Sequence, residues 1–148
     1  MPVVTNVAAC LADADAEVRW AAAEAVSVLM VRTPPELAGF MVSAVLPHLE
    51  DSGAGVRRPA LRALAGAAQR GDRHVVEVVV PFLGDLDPDV RWEALVTLTQ
   101  VAERGDERAI VAAMACLTDQ DEDVRLLAVQ GMPLLLQRGD GRAVPAMT

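Results

Sequence analysis

The chain has no lysine and no tyrosine, and only two histidines, two cysteines, two tryptophans and two phenylalanines. Without lysine there is no Schiff-base amine and no phosphate-loop lysine. Two cysteines, Cys10 and Cys116, make no disulfide framework. The opening MPVVTNVAACLADA lacks the basic segment of a secretory leader. The apolar runs are too short, and too broken by charge, to span a bilayer, so a soluble cytoplasmic protein with no membrane partner is expected. Basic charge is also short: 13 arginines stand against 21 carboxylates, a net charge of −8. That is the wrong sign for neutralising phosphates and argues against a nucleic-acid partner. What is abundant is aliphatic. Apolar residues make up 53% of 148, enough for one continuous core with almost no aromatic contribution.

The chain repeats itself. Val-Arg occurs at Val18-Arg19, Val56-Arg57, Val90-Arg91 and Val124-Arg125, with arginine spacings of 38, 34 and 34. Eight residues before each arginine stands Leu11, Leu49, Leu83 or Leu117. Six before stands Asp13, Asp51, Asp85 or Asp119. Three after stands Ala22, Ala60, Ala94 or Ala128, and thirteen after stands Arg32, Arg70, Arg104 or Arg138. Internal periodicity of this length is the signature of stacked repeats.

Each copy reads as two helices. In DLDPDVRWEALVTLTQVAERGD, Asp85 or Asp87 caps a helix N-terminus and Pro88 fits the first turn. Val90, Ala94, Leu98 and Val101 then share one face. Helices are expected near 2–12, 16–32, 35–50, 54–70, 73–84, 88–104, 107–117 and 122–138, with a short stub near 142–147. Arg-Gly-Asp occurs at 70–72, 104–106 and 138–140. A receptor-ligand motif is one reading. The spacing favours a structural one, in which the arginine ends a helix, the glycine takes the left-handed conformation and the aspartate caps the next helix.

The motif Asp85-Leu86-Asp87-Pro88-Asp89-Val90-Arg91-Trp92-Glu93-Ala94, followed by Gly105-Asp106, resembles the HEAT-repeat family, in particular the short bacterial PBS-lyase HEAT-like repeats. The resemblance covers nearly the whole chain. It implies an all-α fold, a right-handed α-solenoid of about four HEAT-like helix pairs, with residues 1–148 as a single repeat domain anchored at Arg19, Arg57, Arg91 and Arg125. It implies too that the Asp and Arg columns form a hydrogen-bonded ladder, and that the Val-Arg helix lines the concave surface. The first repeat departs from the pattern, with four extra residues within LMVRTPPELAGF. So does the second, which reads GAG at Gly53–Gly55. A regular ladder is not expected around 30–58.

Candidate sites are few. Asp85, Asp87 and Asp89, and Asp119, Asp121 and Asp123, alternate as calcium ligands do. An EF-hand needs Gly at its sixth position and Glu at its twelfth, where this chain has valine, valine and glutamine; capping accounts for these carboxylates. Neither His48 nor His74 has a second histidine or a cysteine one turn away. No metal, cofactor or catalytic constellation is legible. Cys10 and Cys116 share a column with His48 and Phe82, which predicts that both cysteines pack as small apolar residues. At 100° per residue, the positions one and five after the anchor arginine point away from the core. They are Trp20 and Glu24, Arg58 and Arg62, Trp92 and Val96, Leu126 and Gln130. Two readings of the tryptophans stand: an exposed binding stripe of hot-spot composition, or rings lying flat across a neighbouring helix.

The resulting expectation is a non-enzymatic scaffold holding a partner protein or peptide on that concave stripe. The resemblance offers an alternative, an accessory subunit like the bilin-lyase HEAT proteins, with an apolar chromophore or metabolite against Trp20 and Trp92. At the chain's end, columns that read Glu93 and Gln100 become Leu127 and Leu134. Pro133 should interrupt and kink the last long helix. Leu126, Leu127, Leu134 and Leu135 are thus expected to form a homodimer interface, unless the stub folds back and Val144, Pro145 and Met147 cover them.

Overall fold

The structure, a computed structural model, describes residues 6–7, 9–30, 34–50, 53–68 and 70–136. The expected stub and the third Arg-Gly-Asp lie outside the described residues. Asn6, Val7, Ala9 and Cys10 are helical. Seven further α-helices follow among the described residues: α1 (Ala16–Met30), α2 (Pro35–Val45), α3 (Ala54–Ala67), α4 (Arg73–Val79), α5 (Pro88–Val101), α6 (Glu107–Ala115) and α7 (Glu122–Leu135). The fold is all-α, an α-solenoid of helix pairs. Contacts gather the chain into two compact units, residues 1–69 and 70–148.

In the second unit the capping chemistry repeats copy by copy. Asp72 caps α4, accepting from the amides of His74 and Val75, and Asp106 caps α6, accepting from Ala109. Asp87 caps α5 and Asp121 caps α7, each accepting from the second and third amides after it. Asp85 and Asp119 do not cap. Each closes an Asx turn on the amide two residues on, at 2.9 and 2.8 Å. Thus Asp87, and not Asp85, starts the helix.

The first helix of each pair is shorter than the apolar pattern suggests. α2, α4 and α6 tighten into 3₁₀ turns at Leu46–Glu50, Val80–Gly84 and Cys116–Thr118. Pro47 and Pro81 stand in two of them and have no amide to continue an α-helical ladder. The second helix of each pair also stops about three residues early. α3, α5 and α7 end at Ala67, Val101 and Leu135, because Ala68, Ala102 and Leu136 are extended. Arg104 therefore lies beyond its helix and does not end it, contrary to expectation.

The glycine of Arg-Gly-Asp has a further role. Gly71 and Gly105 have φ of 90° and 84°, in the left-handed region that favours glycine. Their amides point to the next repeat. Gly71 N–H donates to the Val101 carbonyl, and Gly105 N–H to the Leu135 carbonyl, both at 2.7 Å. Each such carbonyl belongs to the last residue of a helix and has no partner within it. The turn of one repeat thus finishes the helix of the next.

The core of the second unit is aliphatic, as the composition requires. Val90, Ala94, Leu98 and Val101 are buried together with Ile110, Val124, Ala128 and Leu135. Ser27, Thr97 and Thr99 are buried polar residues whose hydroxyls donate back to carbonyls three or four residues earlier. α5 and α7 approach closely at Gly131, where an added Cβ would lie 2.9 Å from Thr99 Cγ2. Thr99 is buried and cannot swing clear. Gly131→Ala is therefore expected to destabilise unit two by about 1–2 kcal/mol, overpacking outweighing the better helix propensity of alanine. Urea midpoints of the two proteins check this. Pro133 does not interrupt α7, which runs on to Leu135, the position matching Val101 in α5.

Candidate functional site

The anchor arginines act inside the repeats. Arg91 meets Asp119 of the following repeat through two parallel bonds, Nε to Oδ2 and Nη2 to Oδ1, each 3.0 Å. Its Nη1 donates to the carbonyls of Asp85 and Leu86 in its own turn, at 2.9 and 3.3 Å. Arg19 and Arg125 clamp the equivalent carbonyls: Asp13 and Ala14 for one, Asp119 and Gln120 for the other. Asp119 of the next repeat supplies the carboxylate for Arg91, and Asp85 of its own turn a backbone carbonyl.

The Arg91 and Asp119 side chains are 14% and 10% exposed, so water competes little for either. Burial alone would push the Asp119 carboxyl up. The hydrogen bonds from Arg91 and the Asp121 amide, with the charges of Arg91 and Arg125, outweigh burial and hold it below its usual range. The bond to Asp119 raises the Arg91 guanidinium further than burial lowers it, and the negative charges of Asp119, Asp121 and Asp85 add to the rise. A carboxyl with a depressed folded pKa contributes stability that is complete above its unfolded value, about 3.9, and is lost as pH falls through the folded one. Asp119→Asn should therefore be less stable than the parent protein at pH 7, and the gap should close as pH falls below about 4. Urea midpoints across that range measure it.

The cysteines differ. Cys116 is buried, as expected. Burial, with the nearby Asp119 charge, pushes its thiol up to about 11, against the opposing pull of Arg91. The thiol donates to the Ala112 carbonyl at 3.5 Å, and a thiol so protonated is a poor nucleophile. Cys10 is exposed, which corrects the expectation that both cysteines pack inside. The described neighbours of Cys10 do not enclose it. Of the alternating aspartates, Asp85, Asp87, Asp119 and Asp121 accept from backbone amides, and Asp119 holds Arg91 as well. Among the described residues no three His, Cys, Asp or Glu side chains cluster so as to hold a metal ion.

The predicted stripe is found in two places, one in each unit. In the first, Trp20 is 50% exposed. One edge of its ring lies over α3 at Gly55, whose added Cβ would come within 3.3 Å of Trp20 Cδ1. The ring is thus open to water on one side and packed on the other, and the GAG departure leaves the space that the indole uses. Glu24 and Arg62, one turn on, pair at 3.4 Å across α1 and α3. Arg58 is half-buried. In the second unit, Trp92 on α5 and Leu126 on α7 are 36% and 54% exposed. Val96 is half-buried and Gln130 exposed.

The sequence reading missed Val129, which is 59% exposed. Its column is core in the other three repeats, at Ala23, Leu61 and Leu95. The expected dimer residues need correction. Leu135 is fully buried and cannot meet a partner, because it occupies the same core position as Val101. Leu127 is half-buried, and Glu93, read as a polar position of an open face, is itself buried. Leu126 and Leu134 remain exposed, with Val129 beside them.

A groove of about 400 Å³ runs along the Arg-Gly-Asp turns of the second unit. Gly71, Arg73, Glu77, Glu103, Arg104 and Arg108 are among its lining residues. An exposed ion pair, Arg108–Glu77 at 3.0 Å, stands there. Such a lining is charged and open, and offers no apolar enclosure for a chromophore. Among the described residues no helix is long and apolar enough to cross a membrane.

A HEAT-repeat profile matches residues 42–133. The chain belongs to the HEAT-repeat family. No curated protein matches it. Among solved structures this HEAT-repeat chain is similar to an engineered protein from a structural-genomics programme, with a TM-score of 0.74, 23% identity, and coverage of 99% of this chain and 67% of the other. It is similar to a designed armadillo repeat protein crystallised with the peptide (KR)4, with a TM-score of 0.70, 18% identity, and coverage of 99% and 73%. An archaeal HEAT-like repeats protein from Thermococcus onnurineus NA1 gives a TM-score of 0.58 at 14% identity, over 92% of this chain and 57% of that one. Likenesses at these identities are likenesses of fold.

Proposed function

We propose that this HEAT-repeat protein is a non-enzymatic interaction module, which binds a partner protein or peptide through Trp20, Glu24, Arg58 and Arg62 in one unit and through Trp92, Val96, Leu126 and Gln130 in the other. The observation that carries this reading is the exposure of Trp20 and Trp92. A large aromatic ring left in water on a rigid element is the usual anchor of a protein interface. The designed armadillo neighbour, which is described with a bound peptide, supports use of such a scaffold for peptide capture. Capture from the source organism's lysate tests it, with the parent protein and the double variant Trp20→Ala/Trp92→Ala as paired baits. A partner held by the first and lost by the second supports the reading. A partner held equally by both contradicts it.

We propose in addition that two copies associate through the C-terminal repeat, by way of Leu126, Val129 and Leu134, with Leu127 at the margin. Exposed aliphatic side chains grouped on one helix mark an interface more often than a free surface, and a two-fold pair is the commonest closure. Light scattering at micromolar concentration should give twice the chain mass, and Val129→Glu should return the monomer. A monomer mass for the parent protein removes this proposal.

A further inference from the structure

Each unit contains one joint between the second helices of successive pairs. In the first unit, a Cβ added at Gly55 on α3 would come within 3.3 Å of the Trp20 ring on α1; in the second, one added at Gly131 on α7 would lie 2.9 Å from Thr99 on α5. These contacts fix which columns meet. Trp20 and Thr99 stand one and eight places after their anchor arginines, Gly131 stands six after Arg125, and Gly55 stands four before Pro59. Residues three, four and seven apart share one face of a helix. A joint therefore has two sides. The forward side carries the columns one, four and eight after the anchor. The backward side carries the columns one before, two after and six after it.

Burial follows the two sides. Forward, Ala23 and Ser27 of α1 are buried, as are Leu95 and Thr99 of α5. Backward, Val56, Pro59 and Ala63 of α3 are buried, as are Val124 and Gly131 of α7. Among the described residues no second helix precedes α1 or follows α7. The forward side of α7 is left open, with Leu126, Val129 and Pro133 exposed. The backward side of α1 is open as well, with Val18 and Ala21 exposed and Ala25 half-buried. A face at which stacking stops normally turns polar. Both of these stay apolar, and they are the two halves of one joint.

We infer that the forward side of α7 in one copy seats the backward side of α1 in a second copy, remaking between chains the joint that α5 makes with α7. Val129 takes the place of Leu95. Val18 repeats Val56 and Val124, and Ala25 repeats Ala63, so the incoming side matches the internal ones in column and in size. This rests on the C-terminal association proposed above and names the surface that Val129 meets. A two-fold pair would set α7 against α7, forward side on forward side, whereas the joints inside both units set a forward side on a backward one. Because the two surfaces differ, every pair of copies keeps one free side of each kind. Association then continues, or closes into a ring.

The test uses the full chain and two variants, Ala21→Glu and Val129→Glu, each placing a carboxylate on an exposed residue of one side. Melting curves confirm that both are folded. Sedimentation velocity reads the mass as protein concentration is raised. The parent protein should pass twice the chain mass, and each variant alone should remain a monomer. An equimolar mixture of the two should give a pair with one copy of each and nothing larger, since the intact α7 of Ala21→Glu fits the intact α1 of Val129→Glu. If Ala21→Glu alone still reaches twice the chain mass and the mixture yields no mixed pair, α7 meets α7. The inference is then overturned and the C-terminal association stands. A parent protein that stays a monomer at every concentration overturns both.

Discussion

Arg91→Ala is expected to lower the stability of the second unit by about 2–4 kcal/mol, the cost of leaving a buried charge without its partner. The truncation takes away both bonds to Asp119 and both bonds to the carbonyls of Asp85 and Leu86. Asp119 then keeps only the Asp121 amide and the more distant charge of Arg125. Lysine should not rescue, since one ammonium cannot span a carboxylate and two carbonyls in the geometry of a planar fork. Asp119→Ala should cost a comparable amount. The double variant should cost less than the sum of the two, because the single variants share one interaction. Because stability in a repeat array is approximately a sum of repeat and interface terms, the loss should fall on the interface between the third and fourth repeats. Urea denaturation of the four proteins of the cycle measures it. An unchanged midpoint for Arg91→Ala contradicts the clamp.

Trp92→Ala is expected to do the opposite: little to the fold, much to binding. About a third of the Trp92 surface is open to water. Stability should fall by about 1–2 kcal/mol, whereas a hot-spot aromatic carries about 2 kcal/mol or more of affinity, a loss of thirtyfold or so. Trp20→Ala should also weaken binding, with a smaller share of its effect on the fold, since half of its surface is open to water against about a third of Trp92. Calorimetric melting and affinity for the captured partner, measured on the same preparations, separate the two effects. Unfolding of both variants makes the tryptophans core residues and removes the site.

Much of this architecture is written in four short columns. A leucine, an aspartate, an arginine and an alanine at fixed offsets give the helix pairs, the Asx turns before the caps and the buried face, because that much is done within one repeat. What the sequence hid depends on neighbours. Gly71 and Gly105 read as helix-ending glycines, yet their amides complete helices some thirty residues further on. No local signal marks such a bond, and so the ends of α3, α5 and α7 were placed about three residues too far. Glu93 looked like a surface residue and is buried; Leu135 looked available and is core. In both cases the offset from the anchor arginine, and not the residue type, sets the environment. Val129 is the converse, a core column left exposed. The stripe itself was legible from helical angle alone. That Glu24 and Arg62 pair, and that Trp20 leans on a glycine, was not, since both contacts join residues more than thirty apart.

The central claim is that this stripe is the surface a partner occupies. The most direct measurement is site-specific photo-crosslinking in the source organism's lysate, with a benzophenone amino acid placed at Gln130 on the stripe and, as a control, at Val111, exposed on α6. The account predicts one discrete adduct from Gln130, lost on adding Trp92→Ala, and none of that mass from Val111. Adducts of the same mass from Val111 but not from Gln130 would place the partner elsewhere and contradict it.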